Sequence, residues 1–240
     1  MPIRFFVSSR LNDVLKRKLL EKNIDVVDVP LIKTEAIPFN LEPGFWDYAV
    51  FSSKNGVRHF FSRISPDVLK CTSVVAVGKS TAKSLEDLGF KPLTPDNFSG
   101  EGLVELFRNE ELTGKKFLVV RPEKGRRVFI EFLEKNGAVV EEVVVYRTVV
   151  NKEVSGVLCG ELTKGFDFVS FTSPSNLKSF LSIGGALAQE VLEKSRIVPI
   201  GHVTAKAVED AGFKVYKIPR EYTLKGVVEL VLEEVENAYG

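Results

Sequence analysis

Two cysteines, two histidines, one methionine and one glutamine are spread over 240 residues. Each scarcity excludes something. A structural zinc needs clustered Cys and His, and a disulfide framework needs several paired Cys. Cys71 and Cys159 stand 88 positions apart, and the only histidines are His59 and His202. Two inert core thiols are expected, with no metal and no cofactor. No apolar run approaches the ~20 residues that span a bilayer. The opening Met-Pro-Ile-Arg-Phe-Phe-Val lacks the long apolar stretch and cleavage site of a signal peptide. A cytoplasmic protein with no membrane partner is therefore expected. Lys and Arg total 33 against 32 Asp and Glu, a net charge of +1. That balance lacks the basic excess of nucleic-acid binding. Gln189 is the only glutamine and Met1 the only methionine, a scarcity of labile side chains that tends toward heat adaptation.

What is present is a repeat. Val74–Lys91 reads VVAVGKSTAKSLEDLGFK, and Ile197–Lys214 reads IVPIGHVTAKAVEDAGFK. Aligned without gaps at an offset of 123, ten of the eighteen positions are identical. Upstream, WDYAVFSSKNGVRHFF from Trp46 matches FDFVSFTSPSNLKSFL from Phe166; downstream, FSGEGLVEL from Phe98 matches YTLKGVVEL from Tyr222. These stretches form a B unit and its copy. A fainter A unit, Phe5–Thr34 with LLEKNIDVVDVPLIKT, matches Phe117–Thr148 with FLEKNGAVVEEVVVYRT. The order is A, B, A-copy, B-copy, two related α/β halves.

Short apolar runs, many β-branched or aromatic, predict strands buried on both faces. They are Phe5–Val7, Tyr48–Phe51, Val74–Val77, Phe117–Val120, Val139–Tyr146, Phe168–Phe171 and Ile197–Ile200. Helical spacing predicts helices over Thr81–Leu88, closed by Gly89, and over Arg127–Asn136, followed by Gly137. Strands alternating with helices of this length imply parallel βαβ units.

In open parallel sheets, ligands bind beyond the carboxyl ends of the strands. The segments that follow the strands are Ser52-Ser53-Lys54-Asn55-Gly56, Thr172-Ser173-Pro174-Ser175-Asn176, Gly78-Lys79-Ser80-Thr81, Gly201-His202-Val203-Thr204, and Arg121-Pro122-Glu123-Lys124-Gly125-Arg126-Arg127. Four of the five are Ser/Thr/Gly clusters opening a helix. Free amide N–H groups and hydroxyls there favour anions, although one Ser or Thr per helix also serves as a plain N-cap. Taken as a set, they predict a carboxylate- or phosphate-binding cleft. Gly78-Lys79-Ser80-Thr81 imitates the end of a P-loop, but the leading glycine position holds Ser73, and the copy keeps no lysine. His202 stands opposite Lys79, which favours a rim position over a base. Asp47 and Asp167, just before matching strands, read as turn or capping residues. Glu86–Asp87 and Glu209–Asp210 read as exposed helix faces. The repeat is broken at one informative place. Tyr146 stands opposite Ile32 where a strand leaves its half. It is either a buried aromatic with a bonded hydroxyl or a weak general acid.

FSSKNGV at Phe51–Val57, VGKSTA at Val77–Ala82, RPEKGR at Arg121–Arg126, VYRT at Val145–Thr148, FTSPSN at Phe171–Asn176 and IGHVTA at Ile200–Ala205 together resemble the uroporphyrinogen-III synthase family. The resemblance runs over essentially the whole chain, carried by order, spacing and internal duplication. It implies two similar α/β domains, each a parallel sheet flanked by helices, joined by a two-stranded linker with the cleft between them. Residues 1–35 plus 150–240 would form one domain and 38–147 the other; sequence pattern alone also allows A to pair with B. The implied reaction is cofactor-free closure of hydroxymethylbilane, which carries eight carboxylates, to uroporphyrinogen III with inversion of the last pyrrole ring. Tyr146 matches the family tyrosine proposed as the acid. Substrate contacts are implied at Arg10, Ser52, Ser53, Asn55, Gly78, Thr81, Arg121, Lys124, Arg126, Thr172, Ser173, Ser175, Asn176, Gly201 and Thr204. His202-Val203 departs from the family pattern, which often has Pro or another Thr beside the position of Thr204. A monomer is expected. The other reading of the same residues is a non-catalytic two-domain binder of a small polyanion.

Overall fold

The computed structural model describes residues 2–239. The chain divides into two compact units, residues 1–33 with 150–240 and residues 34–149. In the first, β1 (Ile3–Val7), β2 (Ile24–Asp28), β8 (Phe168–Ser170) and β9 (Arg196–Ile197) form a sheet in the order β2-β1-β8-β9. In the second, β4 (Tyr48–Phe51), β5 (Ser73–Ala76), β6 (Lys116–Pro122) and β7 (Val139–Val150) give the order β7-β6-β4-β5, with β3 (Ile32–Ala36) added beside β7. Leaving β3 aside, the two orders are the same when A strands are matched with A and B with B. Apart from β3 beside β7, the sheet pairings are parallel: β1 with β2 and β8, β8 with β9, β4 with β5 and β6, and β6 with β7. The N-terminal strand thus lies beside β8, so each sheet joins one A unit to the other B unit.

The helices are α1 (Asp13–Glu21), α2 (Lys54–Phe61), α3 (Lys79–Glu86), α4 (Gly100–Phe107), α5 (Val128–Lys135), α6 (Ser155–Leu162), α7 (Pro174–Lys194, broken at Gly185), α8 (His202–Asp210) and α9 (Leu224–Tyr239). They cover both faces of each sheet, because strand residues alternate between two cores. In the second unit Phe51, Ala76 and Val120 point to the core with Phe60 and Leu85. Val50, Val75 and Val119 point to the core with Leu103, Phe117 and Phe129. In the first unit Phe6 and Val169 face one core, while Phe5, Val7 and Phe168 face the other.

The duplication persists in small contacts. Asp47 Oδ2 accepts from Lys116 N at 2.9 Å and Asp167 Oδ2 from Arg4 N at 2.8 Å, each carboxylate fastening the start of a neighbouring strand. Ser99 and Thr223 cap α4 and α9 through Gly102 N and Gly226 N. A Cβ on either glycine would strike a backbone carbonyl, that of Asn97 or Glu221. Lys83–Asp87 and Lys206–Asp210 are i,i+4 pairs on exposed faces.

Two expectations are corrected. Cys71 and Cys159 are exposed rather than core thiols. Cys71 lies in the turn entering β5, and Cys159 lies on α6 between the buried Leu158 and Leu162 but on another face. The run Ile197–Ile200 yields a strand of only two residues. Pro199 has no N–H to donate and ends the regular ladder, although Val198 N and Ile200 N still donate to Val169 O and Phe171 O. Among the described residues no helix is long and apolar enough to cross a membrane.

Candidate functional site

The four Ser/Thr/Gly clusters do open helices, and they divide into two kinds. Ser53 and Ser173 are hydroxyl N-caps: Gly56 N donates to Ser53 Oγ at 3.0 Å and Asn176 N to Ser173 Oγ at 3.3 Å. Gly78 and Gly201 occupy the N-cap positions of α3 and α8 without any side-chain cap. Those two helices therefore leave first-turn N–H groups without a capping oxygen of their own. Thr81 and Thr204 sit at the third helical position of each, both buried. A Cβ at Gly201 would come within 3.2 Å of the Tyr222 ring, so a side chain at this N-cap would crowd the aromatic beside it.

Tyr146 is placed by an irregularity. Along β6 and β7 the register runs from Lys116 opposite Val139 to Arg121 opposite Val144. It then slips, so Pro122 faces Tyr146. One extra residue in a strand re-aims the side chains beyond it. Val145 and Tyr146 are consecutive and both buried. The Tyr146 hydroxyl lies 2.9 Å from Ser53 Oγ, beyond the C-terminal end of β4.

The surroundings include residues that motif reading passed over. The His59 ring, one turn along α2, stacks on the Tyr146 ring with centroids 5.4 Å apart and planes 19° from parallel. His59 Nε2 is 2.9 Å from Thr34 Oγ1, and Arg58 Nη2 donates to the same oxygen at 2.7 Å. Desolvation first, and the Arg58 charge second, hold the imidazole below its usual range. The only sequence signal for His59 was helical spacing, three residues after Gly56 on a helix whose N-cap was already a candidate.

The other candidates are distributed as follows. Arg121 is 7% exposed and already partnered, donating to Glu142 Oε1 at 2.5 Å and to Gly125 O at 3.1 Å. Its first task is to hold the loop after β6. Arg126 pairs with Glu101 through both carboxylate oxygens, at 2.5 and 3.2 Å. Together with Ser52 these arginines line a cavity whose walls include Val50, Val119 and Phe129. Asn55 is half-buried on α2, and Lys124 is exposed. In the other unit the Asn176 amide donates to Thr172 Oγ1 at 2.9 Å and to Ser173 Oγ at 3.0 Å. Ser175 and Arg10 are exposed. Among the described residues no group of three or more His, Cys, Asp or Glu could hold a metal ion.

The sequence matches the family model described as uroporphyrinogen-III synthase HemD over residues 13–229. The chain belongs to the uroporphyrinogen-III synthase family. It is 30% identical over 217 residues to a curated Archaeoglobus fulgidus relative, covering 90% of this chain and 91% of the relative. It is 29% identical over 232 residues to the uroporphyrinogen-III synthase of Chlorobaculum parvum, covering 92% and 93%. The crystal structure of the Helicobacter pylori uroporphyrinogen-III synthetase shares the fold, with a TM-score of 0.70 at 23% identity, over 98% of this chain and all of that one. Uroporphyrinogen-III synthases are lyases of tetrapyrrole synthesis, so this chain is an enzyme of that class, and the reading as a non-catalytic binder falls away.

Proposed function

We propose that this chain closes hydroxymethylbilane to uroporphyrinogen III and that Tyr146 is the acid that assists departure of the terminal hydroxyl. The observation that carries this reading is the Tyr146 hydroxyl set 2.9 Å from the hydroxyl cap of α2. Ser53 Oγ already accepts the Gly56 N–H, so its own hydrogen is available to the phenol oxygen. With Ser53 donating, the phenol hydrogen is directed away toward substrate. As that proton moves to the leaving hydroxyl, which departs as water, negative charge grows on the phenol oxygen. It grows there beside a donor and a helix N-terminus, both of which stabilise it.

Loss of water leaves an electrophilic azafulvene. Attack by the substituted carbon of the last ring forms a spiro intermediate; fragmentation and reclosure invert that ring. The pyrroles supply the electron pairs, so the protein needs to provide one proton and a fold of the chain that favours the substituted carbon. Positioning of that kind contributes about 7–11 kcal/mol in the best intramolecular cases. The uncapped N-termini at Gly78 and Gly201, with Thr81 and Thr204, are proposed as carboxylate contacts. So are Ser52, Asn55, Thr172, Ser173, Ser175 and Asn176, together with Arg10, Arg121, Lys124, Arg126. No cofactor enters the scheme, and the chain is proposed to act as a monomer in the cytoplasm. Incubation with hydroxymethylbilane followed by resolution of the isomers tests the reading. Type I forms spontaneously, so an excess of type III is the expected result and type I alone would refute it.

A further inference from the structure

The Tyr146 ring is held on one face by the His59 ring, which has its own anchor in Thr34 and Arg58. Arg58 offers only donors, so Thr34 Oγ1 accepts from Arg58 Nη2 at 2.7 Å. The Thr34 hydroxyl keeps its single hydrogen and lies 2.9 Å from His59 Nε2. Arg58 Nη2 also approaches that nitrogen, at 3.3 Å. Because Arg58 can only donate, the nitrogen it approaches is the acceptor, Thr34 gives it its hydroxyl hydrogen, and the ring is neutral with its proton on Nδ1. Desolvation and the Arg58 charge favour the same state. A neutral ring stacked at 5.4 Å and 19° adds no charge beside the phenol. What it does is restrict the phenol plane, while Ser53 restricts the hydroxyl.

We propose that His59, anchored by Thr34 and Arg58, is a positioning residue that holds the Tyr146 ring so that its hydroxyl stays on Ser53 and aimed at substrate. This rests on the reading of Tyr146 as the acid. The proposal gives His59 its effect through the phenol alone, so its loss should alter turnover and leave substrate binding alone.

The test is steady-state kinetics on hydroxymethylbilane, scored by type III product, for His59→Ala, His59→Phe, Thr34→Val, Tyr146→Phe and the double variant His59→Ala/Tyr146→Phe. Thermal melts of each accompany the kinetics. Loss of one stacking and hydrogen-bonding support corresponds to a kcat lower by about three- to tenfold in His59→Ala, with KM unchanged. His59→Phe keeps a planar ring and should recover part of that loss; Thr34→Val should show a smaller loss of kcat, again at constant KM. The double variant should be no slower than Tyr146→Phe alone, because His59 acts only through the phenol. Full kcat in a folded His59→Ala, a raised KM at constant kcat, or losses that multiply in the double variant would overturn the proposal. If His59→Ala does not fold, His59→Phe and Thr34→Val carry the same comparison. Should Tyr146→Phe itself keep full kcat, the acid reading fails instead, which separates the two failures.

Discussion

The two copies of the B unit begin with the same strand, the same hydroxyl cap and a helix, yet they use the cap differently. In the copy at Phe166, Ser173 Oγ is occupied by the side-chain amide of Asn176, which also takes Thr172. In the copy at Trp46 the equivalent position is Gly56, which has no side chain to offer. Ser53 Oγ is met instead by Tyr146, whose counterpart in the other A unit is Ile32. Two substitutions, Asn for Gly and Ile for Tyr, therefore separate a cap bonded by an amide of its own helix from one joined to a phenol. Duplication supplies the scaffold and the uncapped helix ends twice, and the phenol once.

Removing the phenol should have the largest effect. Tyr146→Phe is expected to lower kcat by about 10²-fold, the lower end for a positioned acid, with KM little changed because the interaction is made mainly in the transition state. Steady-state kinetics with hydroxymethylbilane checks this. A smaller effect should follow from Gly56→Asn, which copies the amide-bonded cap into the one joined to the phenol. At Gly56 a Cβ would meet nothing nearer than Ser53 Oγ at 3.5 Å, so the first atom of an Asn side chain is admitted there, as it is at Asn176 in the copy. Its amide should bond Ser53 as Asn176 bonds Ser173 and compete with Tyr146, lowering kcat by about three- to tenfold, the worth of one hydrogen bond, without loss of melting temperature.

These two contrasts also show what the sequence made legible. The repeat, strand ends and helix starts were readable because the Gly/Ser/Thr clusters and Gly89 obey local rules of capping and left-handed φ. Tyr146 was readable because a repeat makes its own exceptions visible. His59, Arg58 and Thr34 were not, because their link to Tyr146 depends on α2 and β3 both reaching the β7 side of the sheet. A ring stack between residues so far apart in sequence leaves no spacing signature. The slip in register between β6 and β7 is equally silent, as nothing in Val143–Tyr146 announces a bulge. The cysteines misled for a related reason: excluding zinc and disulfide does not bury a thiol, and Cys71 sits in an exposed turn while Cys159 takes an exposed face of α6.

The uncapped helix ends should respond more weakly. Thr81→Ala and Thr204→Val, at equivalent places in the two copies, are each expected to reduce kcat/KM by about threefold, since each removes one neutral donor among many. Kinetics on the pair, singly and combined, would reveal whether the copies contribute alike. The smallest effect is on stability. His59 has its folded pKa below its unfolded value, so the unfolded chain takes up a proton that the native chain refuses. The neutral ring's contribution is thus complete above the unfolded pKa of about 6.5 and declines as pH falls from there to the folded value. Melting temperature should drop more between pH 7.5 and pH 5.5, bounds set about that unfolded pKa, in the wild type than in His59→Phe. Equal drops would remove His59 as the cause.

The central claim, that the single phenol delivers a proton to the departing hydroxyl, is tested most directly by changing the leaving group. A bilane with its terminal hydroxyl replaced by an acetoxy group needs no acid to depart. Type III formation from both substrates would be measured with the wild type and with Tyr146→Phe. The account predicts a defect of about 10²-fold on hydroxymethylbilane that largely disappears on the acetoxy substrate. An equal defect on both would show that Tyr146 holds the substrate without protonating it, and would contradict the account.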